Sequence, residues 1–103
     1  MSNRDLLRAL CYLKPRYRTA LLKVATGDGV IAICECIHNV LIGTIPLNEK
    51  EKVKLTRYKN ILRKLTQKDK IENKKKIIIQ HGGAFLPIII GSLLSSALGS
   101  LFK

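Results

Sequence analysis

From Ala84 to Phe102 the chain carries no charged residue, and it enters that run through Gly82-Gly83, just after the lysine-rich stretch Lys74-Lys75-Lys76. As an α-helix, at about 1.5 Å per residue, such a run is about 28 Å long, close to the hydrocarbon thickness of a bilayer. It must span a membrane, lie in its interface, or dock on the rest of the chain. A remainder of about 80 residues buries only a modest core and has little surface with which to cover so apolar a segment. The sequence therefore predicts a basic body over residues 1–81, a hinge at Gly82 and Gly83, and a membrane-competent tail over residues 84–103.

Details of the tail fit that division. Tandem glycines adopt backbone conformations that other residues avoid. Pro87 suits the first turn of a helix starting near Phe85, where its missing N–H is not needed. Gly91, Ser95 and Gly99 recur every four residues, and so do Ser92, Ser96 and Ser100 in the adjacent column. This small-residue stripe suits close helix–helix contact in lipid, including self-association, or shallow interfacial insertion. Phe85, Leu86, Ile88, Ile89, Leu93, Leu94, Leu98, Leu101 and Phe102 form the face assigned to membrane.

The body is helical in pattern. Ser2 with Asp5 marks a helix start, and Leu6, Leu7, Leu10 and Leu13 follow at helical spacing. Pro15 disfavours helical geometry at Lys14 and suits the first position of a second helix. Gly27-Asp28-Gly29 reads as a turn with Asp28 as cap. Residues 30–42 are apolar on nearly all sides, the mark of a central helix surrounded by others; their β-branched content leaves a buried strand as the alternative. Asn48 with Glu51 forms a second cap pair, after which Val53, Leu55, Tyr58, Ile61, Leu62 and Leu65 outline one amphipathic helix. Asp69 and Glu72 suggest a further short helix start. The fold class predicted is all-α: a small helical bundle with a basic amphipathic helix and an apolar C-terminal helix.

Charge narrows the partners. The formal net charge is +12, which points to a polyanion. It is concentrated in one segment, where Lys50, Lys52, Lys54, Arg57, Lys59, Arg63, Lys64, Lys68, Lys70, Lys74, Lys75 and Lys76 stand against Glu51, Asp69 and Glu72. An ordinary solvated helix face mixes the two signs, so these residues are the candidate nucleic-acid contacts. Lysine mostly reaches phosphates, which makes binding tolerant of sequence and sensitive to salt.

No catalytic or cofactor motif emerges. Cys34-Glu35-Cys36-Ile37-His38 puts Cys34 and His38 on one helix face but turns Cys36 away, and a paired Cys-x-x-Cys spacing is missing. Buried structural cysteines are the better reading, with no metal and no cofactor expected. His38 and His81 have no nucleophile at a recognised spacing. Gly27-Asp28-Gly29 is not followed by the Gly-Lys-Ser/Thr of a phosphate loop. The N-terminal residues have no apolar signal core, so a reducing compartment and free thiols are expected.

The lysine-rich run, Gly82-Gly83, Phe85-Leu86-Pro87 and the Ile/Leu/Gly/Ser tail together resemble the precursors of the adenovirus core protein X, or mu, family, in which a basic DNA-condensing segment precedes Gly-Gly, a Leu-Pro and an apolar tail. That family's basic segment is arginine-rich; here it is lysine-rich. Asn39-Val40-Leu41, Pro46-Leu47, the segment from Tyr58-Lys59 to Leu65 and the Gly-Gly junction also look like small proteins of Maverick/Polinton and adintovirus elements. Phe85 to Leu98 is similar to temporin-type membrane-lytic peptides. The resemblance implies a virion core or minor capsid-associated protein, found in the virion and host nucleus. Its partners would be double-stranded DNA, bound non-specifically, and the inner capsid surface or an anionic membrane. The rival expectations are a single-pass membrane protein with a basic cytoplasmic body, and a helical interaction domain with the tail docked in its core.

Overall fold

The computed structural model describes residues 2–43 and 47–95, with side chains to residue 92. They form six helices: α1 (Asn3–Tyr12), α2 (Pro15–Lys23), α3 (Gly27–Leu41), α4 (Glu49–Thr56), α5 (Lys59–Thr66) and α6 (Ile71–Ser95). No strand occurs among the described residues, so the apolar segment after Gly29 is a helix.

Local chemistry sets several boundaries. The Ser2 hydroxyl accepts from the Asp5 N–H at 3.1 Å, opening α1. Leu13 and Lys14 are extended, Lys14 because it directly precedes a proline, and Pro15 opens α2. Before α3 the cap is Thr26, not Asp28: its hydroxyl accepts from the Gly29 N–H at 3.2 Å, and the three residues 27–29 form the first turn instead of a separate loop. Gly29 is needed there because a Cβ would come within 2.7 Å of the Leu6 side chain on α1. Asn48 and Glu51 make a reciprocal capping box at α4, with bonds of 2.8 and 3.0 Å.

The amphipathic segment after Asn48 is two helices, not one. Tyr58 leaves helical geometry, with φ −106° and ψ 11°, and its N–H turns back to the Leu55 carbonyl. The break brings the Tyr58 ring to Phe85 on α6, with centroids 5.8 Å apart and planes at 53°. A tilted aromatic pair of this kind contributes beyond the area it buries.

The central helix is α6, not α3. It packs on α1, α2 and α3 most extensively and touches α4 and α5 as well. Ile78, Phe85, Leu86, Ile89 and Ile90 are fully buried among Leu7 and Leu10 of α1, Ile33 and Ile37 of α3, and Leu62 and Leu65 of α5. By contrast α3 leaves Ile31 and Leu41 exposed.

This placement corrects the division into body, hinge and tail. Gly82 and Gly83 lie inside α6, which continues unbroken to Ser95. Phe85, Leu86 and Ile89 are core residues, and Ile88 packs beside them half-buried. The reason is that α1, α2 and α3 each need a partner for their apolar faces, and the uncharged half of α6 serves all three. Leu93 and Leu94 lie beyond the described side chains; Leu98, Leu101 and Phe102 lie outside the described residues. Within the described part, the small-residue stripe serves contact inside the chain. A Cβ on Gly91 would stand 3.7 Å from the Cys11 sulfur of α1, and the buried Ser92 hydroxyl lies 2.8 Å from Glu51 of α4 and 2.7 Å from the Ile88 carbonyl.

Pro87 is likewise an interior residue of α6. It cannot donate to the carbonyl four residues back. That residue is Gly83, which is exposed. Open space surrounds the Cβ position of Gly83, whereas a Cβ on Gly82 would meet Leu86 at 2.9 Å. Gly83→Ala should therefore raise stability by about 1 kcal/mol, the ordinary helix-interior difference between the two residues. Urea denaturation measures this; a loss of stability would mean that Gly83 adopts a conformation other than helix.

Candidate nucleic-acid interface

The candidate lysines and arginines come from α4, α5, the start of α6 and the residues that connect these three helices. On α5 the pattern works as the sequence predicts: Leu62 and Leu65 point into the core while Lys59, Arg63 and Lys64 are exposed. On α4, Leu55 is buried and Lys50, Lys52 and Lys54 are exposed. Arg57, Lys68, Lys70 and Lys76 are exposed too.

Two of the twelve stand apart. Lys75 is half-buried, and its ammonium donates to the Ala25 carbonyl at 2.8 Å. Ala25 follows the end of α2, so this lysine satisfies a carbonyl just beyond a helix C-terminus, where positive charge is favoured. Lys74 is half-buried beside a groove lined by Cys34, Glu35, His38 and Thr66. The remaining ten have their charged ends available to a polyanion.

Their charge is not consumed within the protein. Among the described residues the ion pair formed is Lys52 with Glu49, at 3.6 Å between largely exposed side chains, an arrangement that contributes little in water. Two acids of the segment, Glu51 and Asp69, are engaged in local hydrogen bonds instead. Glu51 closes the α4 box and reaches Ser92. Asp69 accepts from the Asn73 amide and the Lys70 N–H, and these bonds hold its carboxyl below the usual range.

Sequence reasoning missed the basic residues of α1 and α2. Arg4, Arg8, Lys14, Arg16 and Lys23 are also exposed; their spacing away from the apolar positions of those helices carried the signal. Arg18 differs: it is buried, and its Nε has no hydrogen-bond partner.

The cysteines face inward to different degrees. Cys36 is buried in the core, and burial pushes its thiol up to about 12; burial also raises Cys34 and Cys11, which are half-buried. Thiols held protonated in this way are poor nucleophiles and poor metal ligands. His38 is exposed at the surface of α3. Among the described residues, no three His, Cys, Asp or Glu side chains come together as a metal site.

Among the described residues, no helix is long and apolar enough to cross a membrane. In comparisons with protein families, with curated proteins and with solved structures, nothing matches this chain.

Proposed function

We propose that this protein binds double-stranded DNA without sequence preference and neutralises its phosphates, as a virion core or minor capsid-associated protein would. The observation that carries the reading is the run of exposed, almost unpaired lysines and arginines on α4, α5 and the start of α6. Ten of the twelve are lysines, which mostly reach phosphates, so the array suits a regular line of phosphates. The likeness of residues 74–103 to the core protein X precursors supports the packaging role. The longest dimension, 32 Å, matches about nine base pairs of duplex at 3.4 Å each.

A gel-shift salt series on the full-length chain tests this. Neutralising about six phosphates should give a slope of log K on log salt near −5. Replacing Lys59, Arg63 and Lys64 by Gln should make that slope shallower by about 3 and weaken binding equally on unrelated duplexes. Binding that is indifferent to salt would overturn the reading, as would the absence of binding.

A second reading is a helical interaction domain, favoured by one observation: Phe85, Leu86, Ile89 and Ile90 are fully buried in the core, which leaves this part of the tail no free apolar face for lipid.

A further inference from the structure

We propose that the corner between α1 and α2 is a second contact for nucleic acid, one that stacks on unpaired bases; this rests on the DNA-binding reading above. The corner is built from Arg8, Tyr12, Lys14, Arg16 and Tyr17. Tyr12 is 80% exposed and Tyr17 47% exposed. The third tyrosine, Tyr58, has its ring against Phe85 instead. Within six residues, one large aromatic ring is left in water and a second is about half exposed.

The surroundings give these rings a charge. Arg8, Lys14 and Arg16 are all exposed. The Arg16 guanidinium lies 4.7 Å from the centre of the Tyr17 ring and donates to its hydroxyl at 2.7 Å. The Arg16 guanidinium therefore sets a positive charge directly beside the Tyr17 ring. Arg8 and Tyr12 are four residues apart on α1, so they share a face. Among the described residues, none of these three cations has a carboxylate within ion-pair distance. Rings for base faces beside cations for the backbone are the combination by which proteins hold single strands, and stacking of this kind tolerates any base.

Helices α1 and α4 both reach the C-terminal part of α6. Cys11, next to Tyr12, lies against Gly91 of α6. Glu51, between the lysines of α4, reaches Ser92. Both contacts fall at the same end of α6. Exposed rings beside cations identify the ligand as DNA with unpaired bases.

The test uses fluorescence anisotropy on the full chain with two probes: an oligothymidine of about 12 nucleotides and a blunt duplex of about 20 base pairs. A Tyr12→Ala/Tyr17→Ala variant should bind the single strand at least about fivefold more weakly, while duplex binding stays within about twofold. A Tyr12→Phe/Tyr17→Phe variant should keep single-strand affinity, because stacking needs the ring and not the hydroxyl. Both variants change exposed side chains, and a thermal melt by circular dichroism checks that they fold. Equal loss on both probes, or loss in the Phe variant, would overturn the stacking role, as would unchanged single-strand binding in the Ala variant. A wild-type dimer that the Ala variant turns into a monomer would make the corner a protein interface instead. If the wild type binds neither probe, the DNA-binding reading itself fails; if it binds duplex but the Ala variant matches it on both probes, only the corner assignment fails.

Discussion

A chain ending at Gly83 should fail to fold. Truncation there removes Phe85, Leu86, Ile89 and Ile90, all fully buried. Burying side chains of this size stabilises by about 1.5–3 kcal/mol each, so their loss amounts to about 6–12 kcal/mol. Small domains are stable by only about 5–15 kcal/mol. The loss also uncovers Leu7, Leu10 and the other core residues that lose their partner in α6. Far-UV circular dichroism should show much reduced helicity and no cooperative thermal transition. A truncated chain that melts cooperatively, with the helicity of α1–α5 retained, would make residues 84–103 a detachable tail and the α6 packing dispensable.

Phe85→Ala should destabilise the full-length protein by about 3–5 kcal/mol, the range for emptying a fully packed aromatic site. Phe85 is the largest of the fully buried side chains, and its ring pairs with Tyr58 across the α4–α5 break. Part of the cost is that pairing. In a double-mutant cycle with Tyr58→Leu, the two substitutions should be non-additive by about 0.5–1.5 kcal/mol. Urea denaturation of the four proteins measures both quantities. A loss below about 1 kcal/mol for Phe85→Ala would be incompatible with a buried site of this volume.

Both experiments probe the apolar C-terminal segment, whose sequence predicts a tail separate from the body. Its composition, a long uncharged run with small residues every fourth position, is shared by helices in lipid and by helices enclosed in a bundle. Sequence patterning distinguishes a polar from an apolar environment; it does not distinguish hydrocarbon from protein. A body without α6 is too small to cover such a segment. Once α6 belongs to the core, the surface available to cover it comes from α1, α2 and α3 together.

The glycines follow the same logic. Gly82-Gly83 is a plausible break when read alone, because two glycines in a row disfavour helix by about 1 kcal/mol each. The flanking residues outweigh that cost: Ile78 before them and Phe85 and Leu86 after them are all buried by one continuous helix. The α4–α5 break shows the converse. Nothing local interrupts the amphipathic pattern there, and Tyr58 leaves the helix where its ring meets Phe85 on another element.

Legibility thus varied with the range of the interaction. Ser2 with Asp5, Pro15, and Asn48 with Glu51 act over three or four residues, and their effect was readable from the chain. The same holds for the exposed cations of α4 and α5, since a lysine next to buried leucines at helical spacing has one way to face. The role of Lys75 was not readable, because its acceptor, Ala25, is fifty residues distant in the chain. Nor was the prominence of Tyr12 and Tyr17, which follows from what α6 leaves uncovered.

By itself, then, the sequence determined an all-helical chain, three of the six helix starts and a strongly basic surface, since capping, proline geometry and charge act locally or need no partner. Only the tertiary structure decided which helix is central, where the amphipathic segment divides, and that the described half of the apolar run is enclosed by protein. Those outcomes depend on apolar faces meeting across the chain, and hydrophobic burial has no direction that would reveal in advance which faces will meet.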